Sequence, residues 1–242
     1  MLKHESSFNF CERIALKDTL FKIKKGFTLA EVLITLGIIG IVAAMTIPNL
    51  MLKIEGKRTA TKLRAFQSIM SQAIRMSEDE YGDIGSWGLG WNEASVKLMA
   101  ERLKPFMKIA VDCGTSDTKG LCVPVSQYKH LDGSIDANSK SYRTDKRTYK
   151  FVMLNGTSVW FATPITADNQ YQTIAWFYVD VNGKAMPNVI GRDLYMFEYR
   201  DGGFYPGGAP DSLYKKCGLP KSGWGCAYVV LQNQNINHIR KK

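Results

Sequence analysis

Histidine is scarce in this sequence, with three in 242 residues. Of these, His130 sits in a polar stretch and His238 in a basic tail, and neither has the neighbours that a metal centre or a nucleophile–base pair requires. There is no G-x-S-x-G, no G-x-x-x-x-G-K-[ST], no H-E-x-x-H and no C-x-x-C. Their absence removes the local signatures of a serine hydrolase elbow, a phosphate-cradling loop, a zinc peptidase helix and a dithiol redox pair. The chain has no internal repeat and no low-complexity tract, which argues against a solenoid or a disordered linker protein. Proline is missing from 49 to 104, a gap that leaves room for one long helix. Nothing here points to an enzyme.

Acid is also almost absent from one place where its absence carries information. The stretch KKGFTLAEVLITLGIIGIVAAMTIPNLML, Lys24 to Leu52, holds a single formal charge after its basic pair, Glu31. The run is long enough to cross a bilayer. A buried acid there costs roughly 2.5 to 3.5 kcal/mol near the middle of the hydrocarbon, so a partner for it is expected. Six Lys or Arg precede the run, at 3, 13, 17, 22, 24 and 25, as on the cytoplasmic flank of a membrane segment. Lys53, Lys57, Arg58, Lys62 and Arg64 crowd the other end, so charge alone leaves the orientation open. That second cluster reads either as a solvated helix face or as a surface for acidic groups of a neighbour.

Lys24, Lys25, Gly26, Phe27, Thr28, Leu29 and Glu31, with Pro48 further on, resemble the N-terminal cleavage and methylation motif of type IV pilins and type II secretion pseudopilins. The resemblance implies a leader, 1–26, removed by prepilin peptidase after Gly26, and N-methylation of the new amine on Phe27. It further implies a filament in which Glu31 pairs with the terminus of an adjacent subunit, and an inner-membrane platform protein with its assembly ATPase. The location implied is the inner membrane, N-terminus in the cytoplasm, then an extracytoplasmic filament. Gly37, Gly40 and Pro48 are places where such a helix bends, melts or packs closely.

The expected fold is α+β and pilin-like: a membrane and assembly helix, 27–52, an amphipathic stem, 53–80, and a head, 81–242. Leu63, Phe66, Ile69, Met70, Ala73 and Ile74 recur at helical spacing in the stem. The acids Glu78, Asp79 and Glu80 oppose the helix macrodipole, so the stem is expected to end near them or a turn earlier. Asn92 is a cap for a short helix from Glu93 to Lys104. YKFVML and TSVWFAT flank Asn155-Gly156, the strongest short hairpin signal; TIAWFYVDV and LYMFEY read as further strands, and Ala227 to Leu231 as a last one. Ser126 to Lys146 reads as an exposed loop.

Cys113, Cys122, Cys217 and Cys226 follow the apolar run, with eight residues inside each pair. The equal gaps suggest two local disulfides, each worth roughly 2.7 kcal/mol on the chain-entropy view. A four-cysteine zinc site is the rival, although zinc ligands usually come in closer pairs. DVNGKAMPNVIGRD, Asp180 to Asp193, resembles a signature of pilin-like heads. Asp180, Asn182 and Asp193 offer oxygens around a turn at Gly183, an arrangement that serves either as turn capping or as a calcium site. The net charge of +10, with Trp87, Trp91 and Trp224 expected to be exposed, admits a second role, a minor pilin of a DNA-uptake pilus that binds nucleic acid; an extracytoplasmic enzyme held by an uncleaved signal anchor is a further alternative. The same charge also keeps a secreted domain soluble.

Overall fold

The computed structural model describes residues 26–164, 166–167, 172–210, 212–214, 217–218 and 223–239. Lys24 and Lys25 lie outside them. The described chain divides into two compact units at Pro48 and Asn49. One helix, α1 (Leu29–Tyr81), spans that boundary and runs through Gly37, Gly40 and Pro48. It does not stop early at its acids. The Glu78 carboxylate accepts from the Tyr199 hydroxyl at 2.6 Å and the Ile84 amide at 3.3 Å. Gly82, at φ 80°, then closes the helix by donating to Glu78 O.

The second unit is built on an antiparallel sheet of seven strands: β1 (Ile109–Gly114), β2 (Thr148–Met153), β3 (Ser158–Ala162), β4 (Thr166–Ala167), β5 (Gln172–Asp180), β6 (Leu194–Arg200) and β7 (Gly203–Pro206). Their order is β1-β2-β3-β5-β6-β7, with β4 paired to β5. Asn155-Gly156 joins β2 to β3 as expected, Gly156 taking φ 79°. Asp201 and Gly202, at φ 46° and 70°, make the tight turn from β6 to β7, a D-G signal of the same kind.

Alternation along the strands gives the sheet two faces. Phe151, Phe161, Phe177 and Phe197 point to one, where Phe66 of α1 lies 5.2 Å from the Phe197 ring and 5.7 Å from the Phe204 ring. Ala60, Leu63, Phe66, Met70, Ala73 and Ile74 are buried at three- and four-residue spacing, so the amphipathic half of α1 supplies the stripe this face needs. A second helix, α2 (Glu93–Leu103), is capped by Asn92 Oδ1 accepting from Ser95 N at 2.9 Å and adds Val96, Met99 and Leu103 to the core. On the other face Trp160, Tyr178 and Leu194 pack with Tyr128 and Tyr142.

Three expectations need correcting. The segment 126–146 has no regular strand or helix, but it is a cover and not a free loop, because Tyr128, Asp136 and Tyr142 are buried in it. The last apolar run forms a helix, α3 (Cys226–Asn233). A helix puts Cys226, Ala227, Val230 and Leu231 on one buried face at helical spacing, which alternation would not do. Trp87 is buried, its Nε1 donating to Gly82 O and its ring carrying the Arg102 guanidinium at 4.6 Å.

Cys113 is bonded to Cys122 and Cys217 to Cys226. The second bridge anchors a place where backbones touch. A Cβ on Gly223 would lie 2.0 Å from Ile190 O, and one on Gly56 of α1 would lie 2.7 Å from Asn235 Cα. Neither contact involves a side chain that can move aside. Gly223→Ala is therefore expected to lower the melting temperature by on the order of 5 °C, measured by circular dichroism under oxidising conditions; Gly88→Ala, where nothing lies within 4 Å, reports the cost of positive φ alone.

Candidate functional site

Gly26 and Phe27 precede α1 in extended or irregular backbone, and Phe27 is 88% exposed. Thr28 and Glu31 then form a capping box. The Thr28 amide and hydroxyl both donate to Glu31 Oε2 at 2.8 Å, and Glu31 N donates back to Thr28 Oγ1 at 3.2 Å. Each residue satisfies a group that the start of a helix would otherwise leave orphaned. The sequence carries the signature, T-x-x-E before an apolar run, in the same residues that resemble the processing motif.

Beyond it α1 is apolar and uncovered. Leu33, Ile34, Leu36, Ile38, Ile39, Ile41, Val42 and Met45 are all exposed. The hydroxyls of Thr35 and Thr46 return to Val32 O and Val42 O, so neither needs water. The helix is long and apolar enough to cross a membrane, and none of its apolar window is buried in the chain itself. Such a surface is stable only against lipid or against other apolar helices.

Further along, in the second unit, α1 is tied to the loop between β5 and β6 and to α3. Lys62 Nζ donates to Val181 O, Arg64 to Leu231 O at 2.8 Å, and Arg192 makes a two-armed ion pair with Glu55 at 2.8 and 3.1 Å. Part of the basic cluster thus tethers stem to head, while Lys53, Lys57 and Arg58 face outward. The same loop holds the acids. Asp180 accepts from the Tyr128 hydroxyl and, at 3.1 Å, from Asn182 N. Asp193 Oδ2 accepts from Val189 N at 3.0 Å, and Asp193 O takes the amide of Val181 at 2.9 Å. Asn182 donates to Met186 O, and its Oδ1 is buried with no partner among the described residues. These contacts cap turns. They commit one oxygen of Asp193 and both of Asp180 to donors within the chain.

The prokaryotic N-terminal methylation motif matches residues 21–47. A family of unknown function, DUF6613, matches residues 49–236. The chain belongs to the DUF6613 family. Comparison with curated proteins and with solved structures returned no match. The two matched regions meet at the boundary of the two compact units, so a pilin-type N-terminal segment leads into a DUF6613 head.

Electrostatics in that DUF6613 head centre on the acid turn. Burial pushes the Asp180 carboxyl up to about 8 against the pull of the Tyr128 hydrogen bond, and the nearby Asp193 adds to the rise. Burial likewise lifts Asp193 to about 6, although Val189 N–H and Arg192 act against it. A carboxyl whose folded pKa is raised contributes stability that is complete below its unfolded value near 3.8 and is lost as pH climbs through the folded value. The expected result is a melting temperature that falls between pH 5 and 8 with a slope that Asp180→Asn flattens; an unchanged slope in that variant would remove the titration from Asp180.

Proposed function

We propose that this DUF6613 protein is a structural filament subunit, a pilin or pseudopilin of a type IV pilus or type II secretion system. In this reading prepilin peptidase cuts after Gly26, Phe27 is N-methylated, and the subunit waits in the inner membrane with its head outside the cytoplasm. Assembly then passes α1 from lipid into a bundle of like helices, with a platform protein and its ATPase as the machinery. One observation carries the proposal: the methylation motif opens a helix whose membrane-length apolar stretch is uncovered, and between Leu29 and Pro48 its one charge is Glu31.

Glu31 then has two successive partners. Before assembly Thr28 satisfies its carboxylate, which lowers the cost of holding an acid at the lipid boundary. In the filament the amine of a neighbour's Phe27 offers roughly 4 kcal/mol of attraction at about 4 Å and intermediate dielectric, part of which desolvation takes back. Correct stagger is thereby favoured over lateral slippage. A nucleic-acid role draws less support, since Trp87 is buried and Trp91 faces an arginine already paired with an acid.

Glu31→Ala is expected to leave cleavage at Gly26 intact while reducing incorporation into filaments at least tenfold, read by blotting sheared filament fractions. Thr28→Ala should reduce it less, because the cap is lost and the charge kept. Normal filaments from Glu31→Ala would refute the role. At the acid turn the caps engage both oxygens of Asp180 and one of Asp193, so thermal melts with and without chelator are expected to coincide; a chelator-dependent drop would assign calcium there.

A further inference from the structure

On the sheet face away from Phe66, a cavity of about 280 Å³ opens beside the second aromatic cluster. Two chains of ring contacts wall it. Trp176 meets Trp91 and Tyr214 edge-to-face, each at 6.3 Å, while Tyr178 meets Trp224 at 5.5 Å and Tyr142 at 5.8 Å. Asn138, Ser141, Asp145 and Arg147 add polar groups to the lining. Trp91 is 42% exposed, although Trp176 meets it edge-to-face and the Arg147 guanidinium lies 4.9 Å over its ring, and Trp176 Nε1 is buried with no hydrogen-bond partner among the described residues. Large rings left open to solvent beside convergent polar groups are the usual make-up of a small-molecule site.

Charge narrows the ligand. Arg147 is the cavity's cation, and it is held in a fork by Asp145, Nε to Oδ1 at 3.0 Å and Nη2 to Oδ2 at 2.9 Å. The pair cancels, so among the described residues lining the cavity a phosphate-bearing ligand finds no spare cation and a quaternary ammonium finds no spare acid. A purely apolar ligand would strip water from Asn138, Ser141 and the ion pair without replacing its hydrogen bonds. A ring with one C–H face and a rim of hydroxyls meets both kinds of wall. The volume lies just below the ~300 Å³ at which drug-sized pockets begin, which suits one or two such rings.

We propose that this cavity binds one end of a neutral saccharide, its C–H face against the exposed part of the Trp91 ring and its hydroxyls on Asn138, Ser141 and the Asp145–Arg147 fork. The site belongs to the head alone and does not depend on filament assembly. For a filament subunit it would be a means of holding a glycan surface.

The test is saturation-transfer NMR on the full chain, purified in an amine-oxide detergent that carries no sugar headgroup, titrated with cellobiose, maltose and N,N′-diacetylchitobiose. At least one is expected to saturate, with Trp91→Ala weakening it about tenfold, the loss of one stacking contact. Asn138→Ala, a surface change, should weaken it by a smaller factor and guards against misfolding of the first variant. Absence of saturable transfer to all three sugars overturns the proposal, as does binding that Trp91→Ala leaves unchanged. Saturation by tetramethylammonium or an oligo-dT with none by the sugars would overturn it in favour of those ligands.

Discussion

A single helix that must satisfy two environments is the constraint from which the rest follows. Up to Pro48, α1 offers an apolar surface that nothing in its own unit covers. From Ala60 onward its apolar residues narrow to one stripe that the sheet buries. The first part cannot remain in water, because each exposed large side chain forgoes about 1.5–3 kcal/mol of burial. Lipid and a bundle of apolar helices are the surroundings that remove that cost, and the proposed polymerisation rests on exchanging one for the other. Glu31 is tolerable within this scheme because Thr28 holds it at the very start of the helix.

The head secures the stem by contacts of a different kind. Phenylalanines from three strands, β5, β6 and β7, close on Phe66, and polar tethers from Glu55, Lys62 and Arg64 fix the rotation of the helix against the β5–β6 loop and α3. On the far face Lys150 is buried with its ammonium donating to Thr115 O, Asp145 O and Thr148 O, pinning the covering segment to β2. That pinning holds Asp145 and Arg147 beside the tryptophans. The same buried polar framework that stabilises the cover therefore shapes the cavity.

Much of this was legible from residue order alone. The α+β class, the long helix and four strands followed from periodicity and from Asn155-Gly156, since those signals are local. Asp201-Gly202 was equally local and marks β7 by the same chemistry. The run AYVVL was too short for periodicity to separate strand from helix, and only burial of Cys226 beside Ala227 decided it. The cover over the second face was hidden for another reason: its sequence is polar, and its anchoring tyrosines depend on partners far along the chain, Tyr128 on the Asp180 carboxylate and Tyr142 on the Trp160 and Tyr178 rings. The cavity was the least legible feature. Trp91, Trp176 and Trp224 lie far apart in sequence and converge only through the register of β5 and the turn before α3.

The central claim is that Phe27 begins the functional chain. Intact mass spectrometry of the protein extracted from native membranes measures this directly. A chain starting at a methylated Phe27, lacking residues 1–26, is the expected species. Retention of Met1, or a cut placed after the apolar helix, would contradict the claim and leave α1 as an ordinary membrane anchor or a discarded signal.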